Sequence, residues 1–239
     1  MEDRNLEISV LGSEMGGIVG FLPEELCDAI QTLSESVEPV NGATGMPKPT
    51  NDPDEILYGN IPRGIEDDET RLSELRWLDH NLLSSIKGVD LPEMIIDACL
   101  QIAGYCGWNY AIAWEEMMQH TTYRATKQGS GHYTWHSDIG IGGQDPSTTV
   151  RKLSCSIQLS DPDEYEGGYF QWLEQNDLQN RMAKEKLINH ENLARTLPYS
   201  FQKKGSIIAF PSTTIHQVTP ITSGIRKSSV IWFSGPPLQ

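Results

Sequence analysis

Leu22, Leu26, Ile30 and Leu33 recur three and four residues apart, with Pro23 beside the first of them. Residues at that spacing share one helix face, and proline suits a first helical turn, so an amphipathic helix is predicted from about Pro23. After Pro92 the pattern returns at Met94, Ile95, Cys99, Ile102 and Cys106, predicting a second helix. Between them, residues 38–69 are rich in Pro, Gly, Asn and Asp and show no period, which reads as a long loop or lid or as a disordered segment. Arg71-Leu-Ser-Glu-Leu-Arg-Trp-Leu alternates imperfectly and fits a strand or a short helix. From Trp108 onward the chain becomes a series of short β-like runs divided by turn residues, at 110–114, 120–125, 132–138, 153–159, 168–173, 206–210, 215–218 and 228–233. Residues 175–200 interrupt that series as a polar, helix-permissive insertion. The fold class expected is mainly β with flanking helices, an α+β arrangement with a jelly-roll core buttressed by N-terminal helices.

Length adds that 239 residues suit one domain, with helical and loop support over about 1–107 and a core over about 108–236. The formal net charge of −15 argues against a nucleic-acid partner, which requires a surface rich in lysine and arginine. Mean hydropathy is −0.41, and no apolar run approaches the roughly 18 residues of a membrane span. No membrane association is expected. Cys27, Cys99, Cys106 and Cys155 form no C-x-x-C pair and read as buried free thiols. Together with an N-terminus that lacks a secretory apolar core, they suggest a cytoplasmic protein.

The candidate chemistry starts at His132-Tyr-Thr-Trp-His-Ser-Asp138. Strand residues two apart project to one face, so His136 and Asp138 offer an imidazole and a carboxylate to one ion. Such a pair begins a facial triad for non-haem Fe(II). His132 shares that face by parity and competes as a ligand, although it stands about 13 Å away along an extended strand. Parity puts Tyr133 on the opposite face. His80 and His190 sit in polar surroundings and read as surface, whereas His216 lies in a β-like run that could close against the first. Ten residues later, Arg226 and Ser228 share a strand face, a guanidinium beside a hydroxyl, which suits a carboxylate held end-on.

H-x-D, a histidine about eighty residues on and R-x-S ten beyond it together resemble the 2-oxoglutarate- and Fe(II)-dependent oxygenases. The likeness is to the prolyl 4-hydroxylase-like branch, with its bacterial and phage members, and it runs from about Arg71 to Pro236. The resemblance implies a double-stranded β-helix of cupin-like form. It implies His136, Asp138 and His216 as iron ligands and catalytic residues, and Arg226 with Ser228 as the anchor for 2-oxoglutarate. Tyr123, Ser154, Ser156 and Gln158 would line the cosubstrate pocket, with Val218 and Trp232 as apolar wall. The implied cofactors are Fe(II), 2-oxoglutarate and O₂, with ascorbate as a reductant. The implied reaction couples oxidative decarboxylation of 2-oxoglutarate to hydroxylation of a C–H bond. Its substrate would be a prolyl or lysyl side chain of a peptide or protein, or a free amino acid. The residues alone also admit a metal-dependent hydrolase using the same His/Asp/His set, and a non-catalytic module that binds iron and the 2-oxo acid.

Overall fold

The computed structural model describes residues 6–42, 68–86, 88–127, 129–139, 150–176 and 193–236. Most of the loop read at 38–69 and of the insertion read at 175–200, His190 included, lies outside them. Strands are numbered in chain order. The larger sheet runs β1 (Ile8–Gly12), β2 (Met15–Ile18), β13 (Ile207–Pro211), β9 (Val150–Gln158), β15 (Ile221–Gly235), β7 (Met118–Arg124), β5 (Glu74–Leu78) and β3 (Val40–Asn41). Two short strands, β6 (Trp114–Glu115) and β10 (Tyr165–Gly167), also pair with β15. The smaller sheet runs β12 (Arg195–Thr196), β11 (Phe170–Trp172), β14 (His216–Val218), β8 (His132–His136) and β4 (Arg71–Leu72). All of these pairings are antiparallel.

Strict alternation along β9 builds two layers at once. Leu153, Cys155 and Ile157 face one way, into an apolar cluster with helices α1 (Glu24–Ser34) and α3 (Leu91–Tyr105). Between those helices in the chain lies the single turn α2 (His80–Ser84). Helix α1 opens directly after Pro23 and buries Cys27 and Ile30. Helix α3 is capped by the Asp90 carboxylate, which accepts from Glu93 N–H, and buries Leu91, Ile95, Ala98, Cys99 and Ile102. Ser154, Ser156 and Gln158 face the other way, toward a second cluster in which Phe170, Trp172 and Val218 of the smaller sheet meet Phe210 of β13. The jelly-roll core buttressed by N-terminal helices is therefore present.

Some local readings change. Of the run at 110–114 only Trp114 is in a strand, because the backbone there pairs with β15 over two residues alone. Arg71–Leu78 is extended throughout, crossing from the smaller sheet to the larger at Ser73. The N-terminal hairpin β1–β2 gives no periodic signal because its inner strand reads Met-Gly-Gly-Ile. Those glycines are required by close approach. A Cβ at Gly16 would lie 2.6 Å from Cys106 Sγ, and one at Gly17 would lie 2.6 Å from the Ile207 carbonyl oxygen. All four cysteines are free thiols, Cys27, Cys99 and Cys155 buried and Cys106 half-buried.

Candidate metal centre and anion pocket

His216 on β14 pairs directly with His136 on β8, and Asp138 follows just past the strand, held by its N–H donating to the Ser212 carbonyl at 2.9 Å. One ligand atom from each of the three residues lies within 4.8 Å of the others. His136 Nε2 is 3.6 Å and His216 Nε2 is 3.7 Å from the two oxygens of Asp138. Each Nδ1 faces a backbone carbonyl, Thr134 at 2.7 Å and Thr214 at 2.9 Å. A carbonyl only accepts, so each Nδ1 carries the proton and each Nε2 keeps its lone pair for the common point.

Electrostatics prepare the same protonation states. Burial, then the field of His216, holds the His136 imidazole down to about 3, so the ring is neutral at ordinary pH. Burial alone would raise the Asp138 carboxyl, but His216, then His136, Trp232 and Ser154 outweigh it and keep it below the usual range. The Trp232 Nε1–H has no partner of hydrogen-bond geometry, so its influence on Asp138 is that of a nearby dipole. Two imidazoles and one carboxylate with their donor atoms converging match the chemistry of a 2-His-1-carboxylate iron site.

Aromatic rings lock the imidazoles in place. Tyr133 stacks on His136 with centroids 3.4 Å apart, and Phe170 stacks on His216 at 5.3 Å. Tyr133 reaches this face because the strand pairing slips. His216 pairs with His136 and Val218 with Tyr133, two steps on β14 against three on β8. This β-bulge reverses the alternation, so parity fails for both neighbours. Tyr133 joins the site, and His132 leaves it, bound instead to the Ser130 and Glu69 carbonyls. Burial pushes the Tyr133 phenol up to about 12, so it stays protonated and able to donate.

The trio opens onto a cavity of about 430 Å³, mouth included, whose far wall carries Arg226, Ser228 and Tyr123. Arg226 is 2% exposed. Its Nη2 donates to Gln158 Oε1 at 2.7 Å and its Nη1 to Ser228 Oγ at 3.3 Å, and the guanidinium lies 5.6 Å from the Tyr123 ring centroid. Among the described residues no carboxylate pairs with it. Ser156, Val218 and Trp232 also line this cavity. Ser154 and Gln158, expected as pocket wall, stand behind it instead. Ser154 is hydrogen-bonded to Ser212 at 2.9 Å beside Asp138, and Gln158 orients Arg226. His80 is surface, 3.4 Å from Glu115. Arg71, Gln119, Thr121, Phe170, Phe210 and Val230 line the cavity as well, and none of them was expected as a site residue. For Gln119, Thr121 and Val230 the signal was available in the strand alternation that they share with Tyr123 and Arg226.

Comparison with known proteins agrees with this geometry. Residues 118–234 match the family model described as the 2OG-Fe(II) oxygenase superfamily. A PKHD-type hydroxylase of Shewanella sp. strain ANA-3 is 30% identical over 105 residues, which cover 44% of this chain and 38% of the relative. A PKHD-type hydroxylase of Xylella fastidiosa is 33% identical over 111 residues, covering 44% and 40%. The matches thus span about two fifths of these relatives' length. Among solved structures, a Pseudomonas putida prolyl-4-hydroxylase superposes with TM-score 0.55 at 13% identity, covering 94% of both chains. The fold, the converging His/Asp/His set and these matches, the family model over residues 118–234 first among them, together support a prolyl 4-hydroxylase-like 2OG-Fe(II) oxygenase.

Proposed function

We propose that the protein is a non-haem Fe(II) dioxygenase that decarboxylates 2-oxoglutarate and hydroxylates a C–H bond, on a prolyl or lysyl side chain of a peptide or protein or on a free amino acid. His136, Asp138 and His216 would hold the iron and Arg226 the distal carboxylate of the 2-oxo acid. With O₂, that pair supplies the oxidation of an unactivated C–H bond.

The chain's own residues do the rest. The Thr134 and Thr214 carbonyls fix the imidazole tautomers. The Tyr133 and Phe170 rings hold the imidazoles in plane and keep water from their outer faces. Gln158 turns the Arg226 fork and, being a neutral acceptor, leaves its charge available to an anion.

The observation that carries this reading is the Arg226 guanidinium, buried in the cavity of the metal trio with no carboxylate partner among the described residues. Burying such a charge alone costs several kcal/mol, so an anionic ligand is the natural complement. A hydrolase built on the same trio has no use for it. The test is anaerobic titration with Fe(II) and 2-oxoglutarate, following the visible charge-transfer band of the chelated 2-oxo acid. The band is expected in the wild type and absent in Asp138→Ala and His216→Ala. No band in the folded wild type, or a band that survives both substitutions, overturns the assignment. Succinate release stimulated by substrate separates the enzyme from a binding module.

A further inference from the structure

The cavity holds a second buried cation. Arg71, the first residue of β4, is 6% exposed, and among the described residues no carboxylate pairs with it. Its Nε donates to Ser73 Oγ at 2.9 Å and its Nη2 to Gln119 Oε1 at 2.7 Å. Its Cζ lies 4.4 Å over the Tyr133 ring, the same ring that stacks on His136. Arg71, Tyr133 and His136 therefore form a continuous stack ending at a metal ligand. Arg226 belongs to a different part of the cavity, beside Tyr123 on the larger sheet. Neutral oxygens and a ring face only partly offset the cost of burying the Arg71 charge, and its Nη1 has no acceptor among the described residues.

The cosubstrate leaves this cation unexplained. 2-Oxoglutarate has two carboxylates, one matched by Arg226 and the other part of the 2-oxo acid that chelates metal. We propose that Arg71 is the hook for a carboxylate on the prime substrate, so that the residue selects acids and sets where the substrate lies against the His136 side of the site. The inference rests on the oxygenase reading and narrows its substrate class. The guanidinium's planar fork is made for this anion, and the stack keeps it rigid. The carboxylate has two sources, the α-carboxylate of a free amino acid or an acidic side chain of a peptide.

The test uses protein loaded with Fe(II) and 2-oxoglutarate without oxygen, so that binding is read without turnover. Calorimetric titrations compare the twenty free L-amino acids with their α-amides, and a proline-containing peptide flanked by glutamates with the same peptide flanked by glutamines. In the wild type at least one carboxylate form binds tenfold or more tightly than its amide, and the arm that shows it identifies the source. Arg71→Gln brings acid and amide within about threefold of each other and leaves the cosubstrate midpoint of the charge-transfer band in place. Arg71→Lys keeps a preference for the acid, and it decides the matter if Arg71→Gln does not fold. Wild-type protein that prefers neither acid, a tenfold shift of the cosubstrate midpoint in Arg71→Gln, or an Arg71→Lys variant indifferent to charge each overturns the proposal. A wild type with no band overturns the oxygenase reading itself, and this proposal falls with it.

Discussion

Arg226 meets a glutamine carbonyl, a serine hydroxyl and an aromatic ring, and none of these neutralises it. Its replacement by glutamine removes the charge and leaves a shorter, neutral amide. Arg226→Gln is therefore expected to weaken 2-oxoglutarate binding by tenfold or more, about 1.4 kcal/mol at least, with iron still bound. Arg226→Lys should recover part of that loss, since a point charge replaces the bidentate fork. The midpoint of the anaerobic titration measures both. Asp138→Ala should fail earlier, at metal binding, because two imidazoles without the carboxylate lose both a ligand and the charge that matches the cation. At this scale the sequence was informative where short spacing sufficed: His136, Asp138 and Arg226 each stand in a recognisable local pattern. Arg71 was silent because nothing beside it in the chain distinguishes a cavity guanidinium from a surface one. Its neighbours Gln119 and Tyr133 arrive from strands about fifty and sixty residues away.

Strand β8 shows what elements add to residues. Alternation read from sequence assigns His132 to the site and Tyr133 away from it, and one bulge reverses both assignments. A bulge leaves no compositional trace, since it is set by how two strands register against each other. The same holds for β2, whose Gly16 and Gly17 look like turn residues and instead allow a strand to slide between α3 and β13. Gly17→Ala would drive a methyl group to 2.6 Å from the Ile207 carbonyl oxygen and 2.9 Å from Phe201 Cε1. It is expected to destabilise the fold by about 1–3 kcal/mol, read as a lower denaturant midpoint. The helices were legible because their apolar period is long and uninterrupted. Short strands such as β6 and β12, two residues each, are fixed by their partners and had no signal of their own.

Across the molecule, the buried His120 and the half-buried His136 couple stability to acidity. Burial, then Lys227 and Arg76, holds His120 down to about 4, and burial followed by His216 holds His136 down to about 3. Both are neutral when folded and take up a proton on unfolding below their ordinary value near 6.5. Unfolding then binds protons, so stability falls as pH drops from about 6.5 toward 4, by about 1.4 kcal/mol per pH unit for each histidine. Denaturation of the metal-free protein at pH 7, 6 and 5 should show that slope, and His120→Gln should remove one histidine's share of it. On the helix side, Ile102→Ala should cost about 2–5 kcal/mol and leave metal affinity as it was. That expectation follows from the two faces of the larger sheet, which put the apolar packing and the reactive groups on opposite sides of one layer of backbone. Mutation can therefore explore what the cavity accepts while the scaffold's endurance is maintained, or harden the scaffold while selectivity stays fixed, each along its own set of alternating positions.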